Sequence, residues 1–331
     1  MKPQNILLIR LKSIGDILFT LPSVHQLHAA YPQAGLTYLV SREHAPLLEG
    51  FRDVDKVISL DRSQFRRVHP FAALREGFSV WRKLRRERFT LAIDFQGYGE
   101  TGYLTRCTGA SQRWGTWYRA ARRWAYTRAV QRDPGSHPAE GHLAMLQACG
   151  VPGSAVRNEF VVPKKAAEEA RGFLGTVGLL PGRPLLFIQP FTSSAEKDWP
   201  LDAYLAIAHE SRKRGMQVLF GGGPADREML ASVMAAGFPC SAGVPLLVSA
   251  GLMSLSTIVL GGDTGLLHVA LASGVRVIML MGSAGPGSCY PFRHREWAVT
   301  PASGRRVAGI TSGQVSEALE LAWFERKLSF Q

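Results

Sequence analysis

A chain of 331 residues is long for one hydrophobic core and comfortable for two domains of about 150 residues each. Its 46% hydrophobic and 20% charged residues suit a soluble globular protein, and no apolar run nears the roughly 18–20 residues of a membrane span. The charge is uneven: residues 1–163 hold 23 Lys/Arg against 13 Asp/Glu, residues 164–331 hold 16 against 13, so the first half is expected to meet something anionic. Arg10, Lys12 and Asp16 break any apolar core of a secretory signal over Met1–Leu21, and a cytoplasmic location is expected. Cys107, Cys149, Cys240 and Cys289 stand far apart with no neighbouring histidine at ligand spacing, so they are expected to be buried, reduced thiols with no metal.

Asn5–Leu11 is the first predicted strand, a near-continuous apolar run of the kind buried on both faces of a parallel sheet. After Lys12-Ser13-Ile14-Gly15-Asp16 a helix is expected, with Ile17, Leu18, Leu21, Val24 and Leu27 on its apolar side and Pro22 as a kink or a second start. Strands over Leu36–Val40, Lys56–Leu60 and Leu91–Phe95 follow, alternating with helical segments, and this alternation predicts a doubly wound parallel sheet. Between the last two lies Arg62–Arg88, with nine basic residues against Glu76 and Glu87. Phe71, Leu74, Phe78, Trp81 and Leu84 or Arg85 recur there every three to four residues, so an aromatic stripe is expected under a basic face. Two readings fit: a core-packed stripe with a solvated charged side, or a helix that lies on an anionic membrane surface. Nucleic acid needs the same charge, but no helix-turn-helix, zinc-finger or RNA-binding signature accompanies it.

A loop over Ser136–Gly141, a helix that follows it to Ala148 and a short strand over Phe160–Pro163 are expected to close a first domain at residue 163. Lys164–Val177 reads as a helix at the border. A second parallel series follows in strands Pro184–Gln189, Met216–Phe220, Thr257–Leu260 and Val275–Met281. Helices Leu201–Arg214, Ala225–Ala236 and Gly265–Ala272 lie between them, and Gln314–Leu328 is a final helix that could pack back on the first domain. The chain is thus read as two Rossmann-like domains, 1–163 and 164–331.

The stretch from Ile258 to Gly274 joins the end of a buried strand, a turn over Gly261–Gly265 and a helix start. Such a joint presents free backbone N–H groups and a positive dipole end where open α/β sheets bind ligands, which suits a phosphate. Many strand-turn-helix joints carry glycines, and Asp263 could simply cap the helix. What distinguishes this one is Asp263, Thr264 and His268 together on its first turn and a half.

Two Rossmann-like halves first suggest a dinucleotide enzyme. The G-x-G-x-x-G fingerprint is missing after the first strand, and Gly221-Gly222-Gly223-Pro224 leads into no P-loop. Sugar transfer from a nucleotide donor is the remaining common use of such a pair. It requires a base for the acceptor hydroxyl, stabilisation of a diphosphate leaving group, and grips for sugar and nucleoside. Asp16, at the carboxyl end of the first strand, is the candidate base or else an N-cap. Lys197, with Thr192 and Ser193 in the polar loop after a buried strand, is the candidate diphosphate contact or an ordinary exposed lysine. Asp226 could bind ribose or cap its helix. A diphosphate whose charge is met in this way leaves without protonation, so the displacement needs one base and no metal.

These residues carry a resemblance. Ile6 to Pro22 resembles the opening of glycosyltransferase family 9, the lipopolysaccharide heptosyltransferases. Ile93-Asp94-Phe95-Gln96-Gly97, Lys197-Asp198-Trp199-Pro200, Gly222 to Asp226 and Gly262 to His268 are similar to its later motifs, in order. The resemblance implies a GT-B fold, two Rossmann-like domains facing across a cleft, with an inverting, metal-independent mechanism, no cofactor, and an ADP-heptose type of donor. It implies Asp16 as the catalytic base, Thr192, Ser193 and Lys197 at the diphosphate, Asp226 at the ribose, and Asp263, Thr264, Gly265 and His268 as the donor-binding turn. On the acceptor side Ser13, Gly15, Gln96 and Arg122 are candidates. The implied partners are a nucleotide sugar and an anionic lipid-linked saccharide at the cytoplasmic face of the inner membrane, with peripheral attachment and no nucleic acid. A nucleotide-sugar epimerase of the same fold, or a basic membrane- or nucleic-acid-binding protein without activity, are the alternatives. Two departures stand out: Glu100-Thr101 where heptosyltransferases often have a Lys-Ser pair, and Met281-Gly282-Ser283-Ala284-Gly285-Pro286 where a Gly-Pro-Thr is usual.

Overall fold

The computed structural model describes residues 3–63 and 70–328, and side chains for all of these except 70–74 and 326–328. The chain divides into two compact units, Met1–Val161 and Val162–Gln331.

In the first unit the strands are β1 (Asn5–Ile9), β2 (Gly35–Ser41), β3 (Lys56–Leu60), β4 (Leu91–Asp94), β5 (Gln112–Trp117) and β6 (Arg128–Gln131). They form one sheet in the order β3-β2-β1-β4-β5-β6, parallel at every pairing. The helices are α1 (Ile14–Leu18), α2 (Leu21–Ala30), α3 (Pro70–Arg86), α4 (Gly99–Cys107) and α5 (Pro138–Ala148). Burial on both faces explains why β1 reads as an unbroken apolar run: Ile6, Leu7, Leu8 and Ile9 are all fully buried. The helix expected after β1 is two helices, because Pro22 falls at the start of α2, where its missing N–H costs nothing.

The second unit carries β7 (Leu185–Gln189), β8 (Gln217–Phe220), β9 (Ile258–Gly262), β10 (Arg276–Leu280) and β11 (Ala298–Val299). Their order is β11-β10-β9-β7-β8, again wholly parallel. Its helices are α6 (Lys164–Thr176), α7 (Leu201–Lys213), α8 (Ala231–Ala235), α9 (Leu246–Ser254), α10 (Gly265–Ala272) and α11 (Ser312–Leu328). Its core joins Leu186, Ile188, Phe220 and Leu260 of the sheet to Trp199, Tyr204, Val315 and Leu319. The final helix α11 therefore lies against α7 and β10 of its own unit, where Arg214 bridges Glu210 and Glu320 at 2.7 Å each.

Several expectations need correction. Phe160–Pro163 is coil: Pro163 cannot donate, and the apolar side chains are satisfied by packing, with Phe160 against Gly50 and Phe51. Ala225–Ala236 is a 3-10 turn at Pro224–Asp226 followed later by α8, because Asp226 folds back to accept the Gly223 N–H at 2.7 Å. Of the cysteines only Cys149 is buried; Cys107, Cys240 and Cys289 are partly exposed. On α3 the stripe is split: Leu84, with Val80 beside it, packs in the core, whereas Phe78 and Trp81 are exposed. The side chains of Arg66, Arg67, Phe71 and Leu74 lie outside the described residues.

Candidate active site

In an open α/β sheet, ligands bind beyond the carboxyl ends of the strands where the strand order reverses. In the first unit that point lies between β1 and β4, and in the second between β7 and β9. Most of the candidate residues gather at these two places; Asp226 follows β8 and Arg122 follows β5.

At the first, Arg10 follows β1 directly and is only 5% exposed. Its guanidinium donates from Nε to the Lys12 carbonyl at 3.0 Å and from Nη1 to the Phe95 carbonyl at 3.0 Å, and Nη2 lies 2.7 Å from Asp16 Oδ1. Asp16 Oδ2 accepts the Ser13 N–H at 3.1 Å and the Ser13 hydroxyl at 3.0 Å. Burial alone would raise the Asp16 pKa; the Arg10 charge and the bonds from Ser13 and Arg10 outweigh it and hold the carboxyl below its ordinary range. Asp16 therefore tightens the start of α1, as a capping residue does, and also remains an ionised group with 37% of its side chain exposed.

The neighbouring loop is built around Asp94, fully buried at the end of β4. Its Oδ1 accepts the N–H groups of Gln96 (2.8 Å) and Gly97 (3.0 Å), and its Oδ2 accepts the Tyr126 hydroxyl at 2.7 Å. Gly97 turns with φ +71°, and a Cβ there would fall 2.4 Å from the Thr116 carbonyl oxygen, so only glycine fits. Gln96, 1% exposed, accepts the Leu11 N–H at 2.9 Å and so ties this loop to the one carrying Asp16. Arg122 donates to the Gly97 carbonyl at 3.1 Å and lies over the Tyr98 ring. Of the acceptor-side candidates, Gln96 and Gly15 are buried framework, while Ser13 and Arg122 keep surface toward solvent. The departure at Glu100 has a partner: Arg62 meets it with two bonds, at 3.0 and 3.2 Å.

At the second switch point the loop after β7 carries Thr192, Ser193 and Lys197, and the turn after β9 carries Asp263 and Thr264. A Cβ on Gly262 would fall 2.6 Å from Thr192 Cγ2, so the loops touch only because glycine ends β9. Across this contact Lys197 Nζ donates to Asp263 Oδ2 at 2.9 Å, and His268 Nε2 lies 3.6 Å from Asp263 Oδ1. Burial pushes the Asp263 pKa up, but His268 and Lys197 overcome it and lower the value; the same hydrogen bond raises that of Lys197. Thr264, not Asp263, is the N-cap of α10, which begins at Gly265. Thr192 shapes its loop, giving its N–H to Asp198 at 2.8 Å and its hydroxyl to the Ser194 carbonyl at 2.9 Å, and Ser193 is exposed beside it. Asp226 stands on the loop after β8 with one oxygen committed to Gly223. The departure over Gly282–Gly285 lines an open cavity of about 480 Å³ with Arg295 and Arg305.

Sequence reasoning missed Arg10 and Asp94 as organisers of the first site. The available signal was a charged residue placed directly at the end of a fully apolar strand, where burial demands a partner. Among the described residues, no group of three or more His, Cys, Asp and Glu is arranged to hold a metal ion.

Two α/β units, each built on a wholly parallel sheet with its candidate residues beyond the strand ends, are the architecture of a glycosyltransferase of the GT-B class. The fold is matched by solved structures: the glycosyl transferase family 9 protein from Veillonella parvula, with a TM-score of 0.85 at 20% identity and 97% of each chain covered, and Escherichia coli heptosyltransferase WaaC with ADP-2-deoxy-2-fluoro heptose, with a TM-score of 0.77 at 20% identity, covering 96% of this chain and 99% of that one. The model of glycosyltransferase family 9 (heptosyltransferase) matches residues 77–305, and the chain belongs to that family. The match includes every donor-side candidate and stops short of Asp16. Among relatives, the lipopolysaccharide core heptosyltransferase OpsX of Haemophilus influenzae is 24% identical over 309 residues, 90% of this chain and 84% of that protein.

Proposed function

We propose that this glycosyltransferase moves heptose from ADP-heptose to a lipopolysaccharide inner-core acceptor, with inversion and without a metal, at the cytoplasmic face of the inner membrane. The donor is supported by the likeness to a structure holding an ADP-heptose analogue, and the acceptor by the relative that acts on the lipopolysaccharide core. The observation that carries the reading is the Asp16 carboxylate, ionised by Arg10 and still open to solvent.

In the proposed step an acceptor hydroxyl attacks the anomeric carbon of the donor while its proton passes to Asp16. The bond between that carbon and the diphosphate oxygen breaks, and the electron pair leaves with ADP. One displacement inverts the anomeric centre. Lys197 and the N-terminal amides of α10 meet the charge that develops on the diphosphate. Lys197 must then exchange its bond to Asp263 for one to phosphate, or share itself between the two. Asp263 repels phosphate, so its place is beside the sugar hydroxyls, with His268 beneath it. Asp226, with one oxygen free of the Gly223 bond, is suited to ribose hydroxyls.

The test is transfer from ADP-heptose to a deacylated core acceptor, with and without EDTA, followed by NMR assignment of the new linkage. Inversion and full activity in EDTA are expected; retention of configuration or loss of activity in the chelator would contradict the mechanism.

A further inference from the structure

Helix α3 presents a face that the chemistry of transfer does not use. Phe78 is 59% exposed and Trp81 42%, with ring centroids 5.5 Å apart. At 100° per residue Phe78 lies about 160° and 120° around the helix from Val80 and Leu84, which anchor the helix in the core of the first unit, and Trp81 lies between, about 60° from Leu84 and still exposed. Arg75, Arg82 and Arg86 are exposed and form a row one step around the helix from Phe78. The acids nearby do not answer this charge. Glu76 turns inward to the Asp61 N–H at 3.0 Å and toward Arg42, and Glu87 pairs with Lys56.

We propose that this face of α3 docks the enzyme reversibly on an anionic lipid bilayer, with Phe78 and Trp81 entering the interface and Arg75, Arg82 and Arg86 meeting lipid phosphate. The inference rests on the lipid-linked acceptor of the proposed function and names the surface that would bring the enzyme to it. Exposed aromatics flanked by arginines suit a lipid interface, where rings sit at headgroup depth and guanidinium groups bind phosphate. A symmetric contact with a second copy would set the arginine row against itself. Duplex nucleic acid would use the arginines and leave Phe78 and Trp81 in water. The helix runs from the end of β3 to the start of β4, so its first turn lies toward the sheet edge that carries Asp16 and Gln96. A docked α3 thus keeps that edge near the membrane.

The experiment is flotation of the full chain with vesicles of phosphatidylethanolamine and phosphatidylglycerol, and with phosphatidylcholine vesicles, in the absence of donor and acceptor. Wild type is expected to float with the anionic vesicles and to be released by salt. Each basic residue near an anionic surface is worth roughly a fivefold change in partition, so Arg75→Gln/Arg82→Gln/Arg86→Gln should weaken binding about 100-fold. Phe78→Ser/Trp81→Ser should lose flotation while transfer to a deacylated, water-soluble acceptor stays unchanged. Trp81→Phe should keep flotation and lose the part of the fluorescence that brominated lipid quenches. Wild-type flotation retained by both multiple variants would overturn the proposal. So would a wild type that ignores anionic vesicles, or one that binds RNA instead or dimerises through Phe78 and Trp81. Since docking is read without turnover, its failure leaves the transfer reaction standing, and a failed transfer leaves docking measurable.

Discussion

The two switch points solve the same problem with opposite charges. In the first unit a buried arginine holds a carboxylate ionised and half exposed; in the second a carboxylate and a histidine hold a lysine. Asp263 reaches Lys197 from an adjacent loop, whereas Arg10 and Asp16 stand on one β1–α1 connection and Arg10 is anchored on the Phe95 carbonyl of the loop after β4. The difference lies in burial. Arg10 is sealed among backbone carbonyls and cannot leave Asp16, whereas Lys197 keeps half its side chain exposed and can exchange partners. A fixed base and a movable cation are what the proposed displacement on a charged leaving group needs.

The largest effect that would break this comparison is expected at Asp16. Asp16→Asn keeps the shape and removes the proton acceptor, so turnover should fall by about 10²–10⁴-fold, read as kcat with saturating acceptor. A loss under tenfold would move the base elsewhere.

Lys197→Ala comes next. Loss of one charge-assisted contact to phosphate should weaken ADP binding by about 10–100-fold in calorimetry, and an unchanged affinity would remove Lys197 from the diphosphate site.

Arg10 sharpens the contrast through pH. The folded pKa of Asp16 is lowered, so its base form persists as pH falls until the folded value is crossed, below the usual carboxylate range. In Arg10→Met burial is opposed only by the bonds from Ser13, and the acid limb of the rate profile should move to higher pH. Arg10→Lys should move it less. An acid limb unmoved in Arg10→Met would show that Arg10 does not set the ionisation of Asp16. Arg10→Met also leaves the Phe95 and Lys12 carbonyls without their donor, at a cost of about 3–5 kcal/mol, so the comparison belongs at low temperature with folding checked by circular dichroism.

The smallest effect concerns stability. A carboxylate with a depressed pKa stabilises the fold above its unfolded value, near 4, and that contribution fades as pH falls through the folded value. The thermal midpoint gap between wild type and Asp16→Asn should therefore be constant from pH 7 to 5 and shrink below pH 4. A gap that shrinks already between pH 7 and 5 would contradict a lowered Asp16.

Much of this was legible in the residues. Buried parallel strands declare themselves as apolar runs, which is why β1, β2, β7 and β10 stand close to where the sequence put them. β6, at the edge of the sheet, and β5 beside it escaped because they carry Gln112, Arg113 and Arg128 in place of an apolar run. α9 escaped for the opposite reason: it is apolar all round and almost fully buried, so it has no polar face to reveal a period. The site residues could be placed at strand ends, but a sequence cannot pair them. That Lys197 meets Asp263, and that the Phe95 carbonyl holds Arg10 where it faces Asp16, depends on which loops the strand order sets side by side. The aromatic stripe of α3 was seen as a stripe; only its packing showed that Val80 and Leu84, not Phe78 and Trp81, face the core.

The most direct test of the division between a fixed base and a donor-holding cation is the dissociation constant of ADP-heptose for wild type, Asp16→Asn and Lys197→Ala, measured by calorimetry without acceptor. Asp16→Asn should bind the donor as tightly as wild type while Lys197→Ala binds it about tenfold or more weakly. Donor binding lost in Asp16→Asn and kept in Lys197→Ala would contradict the account.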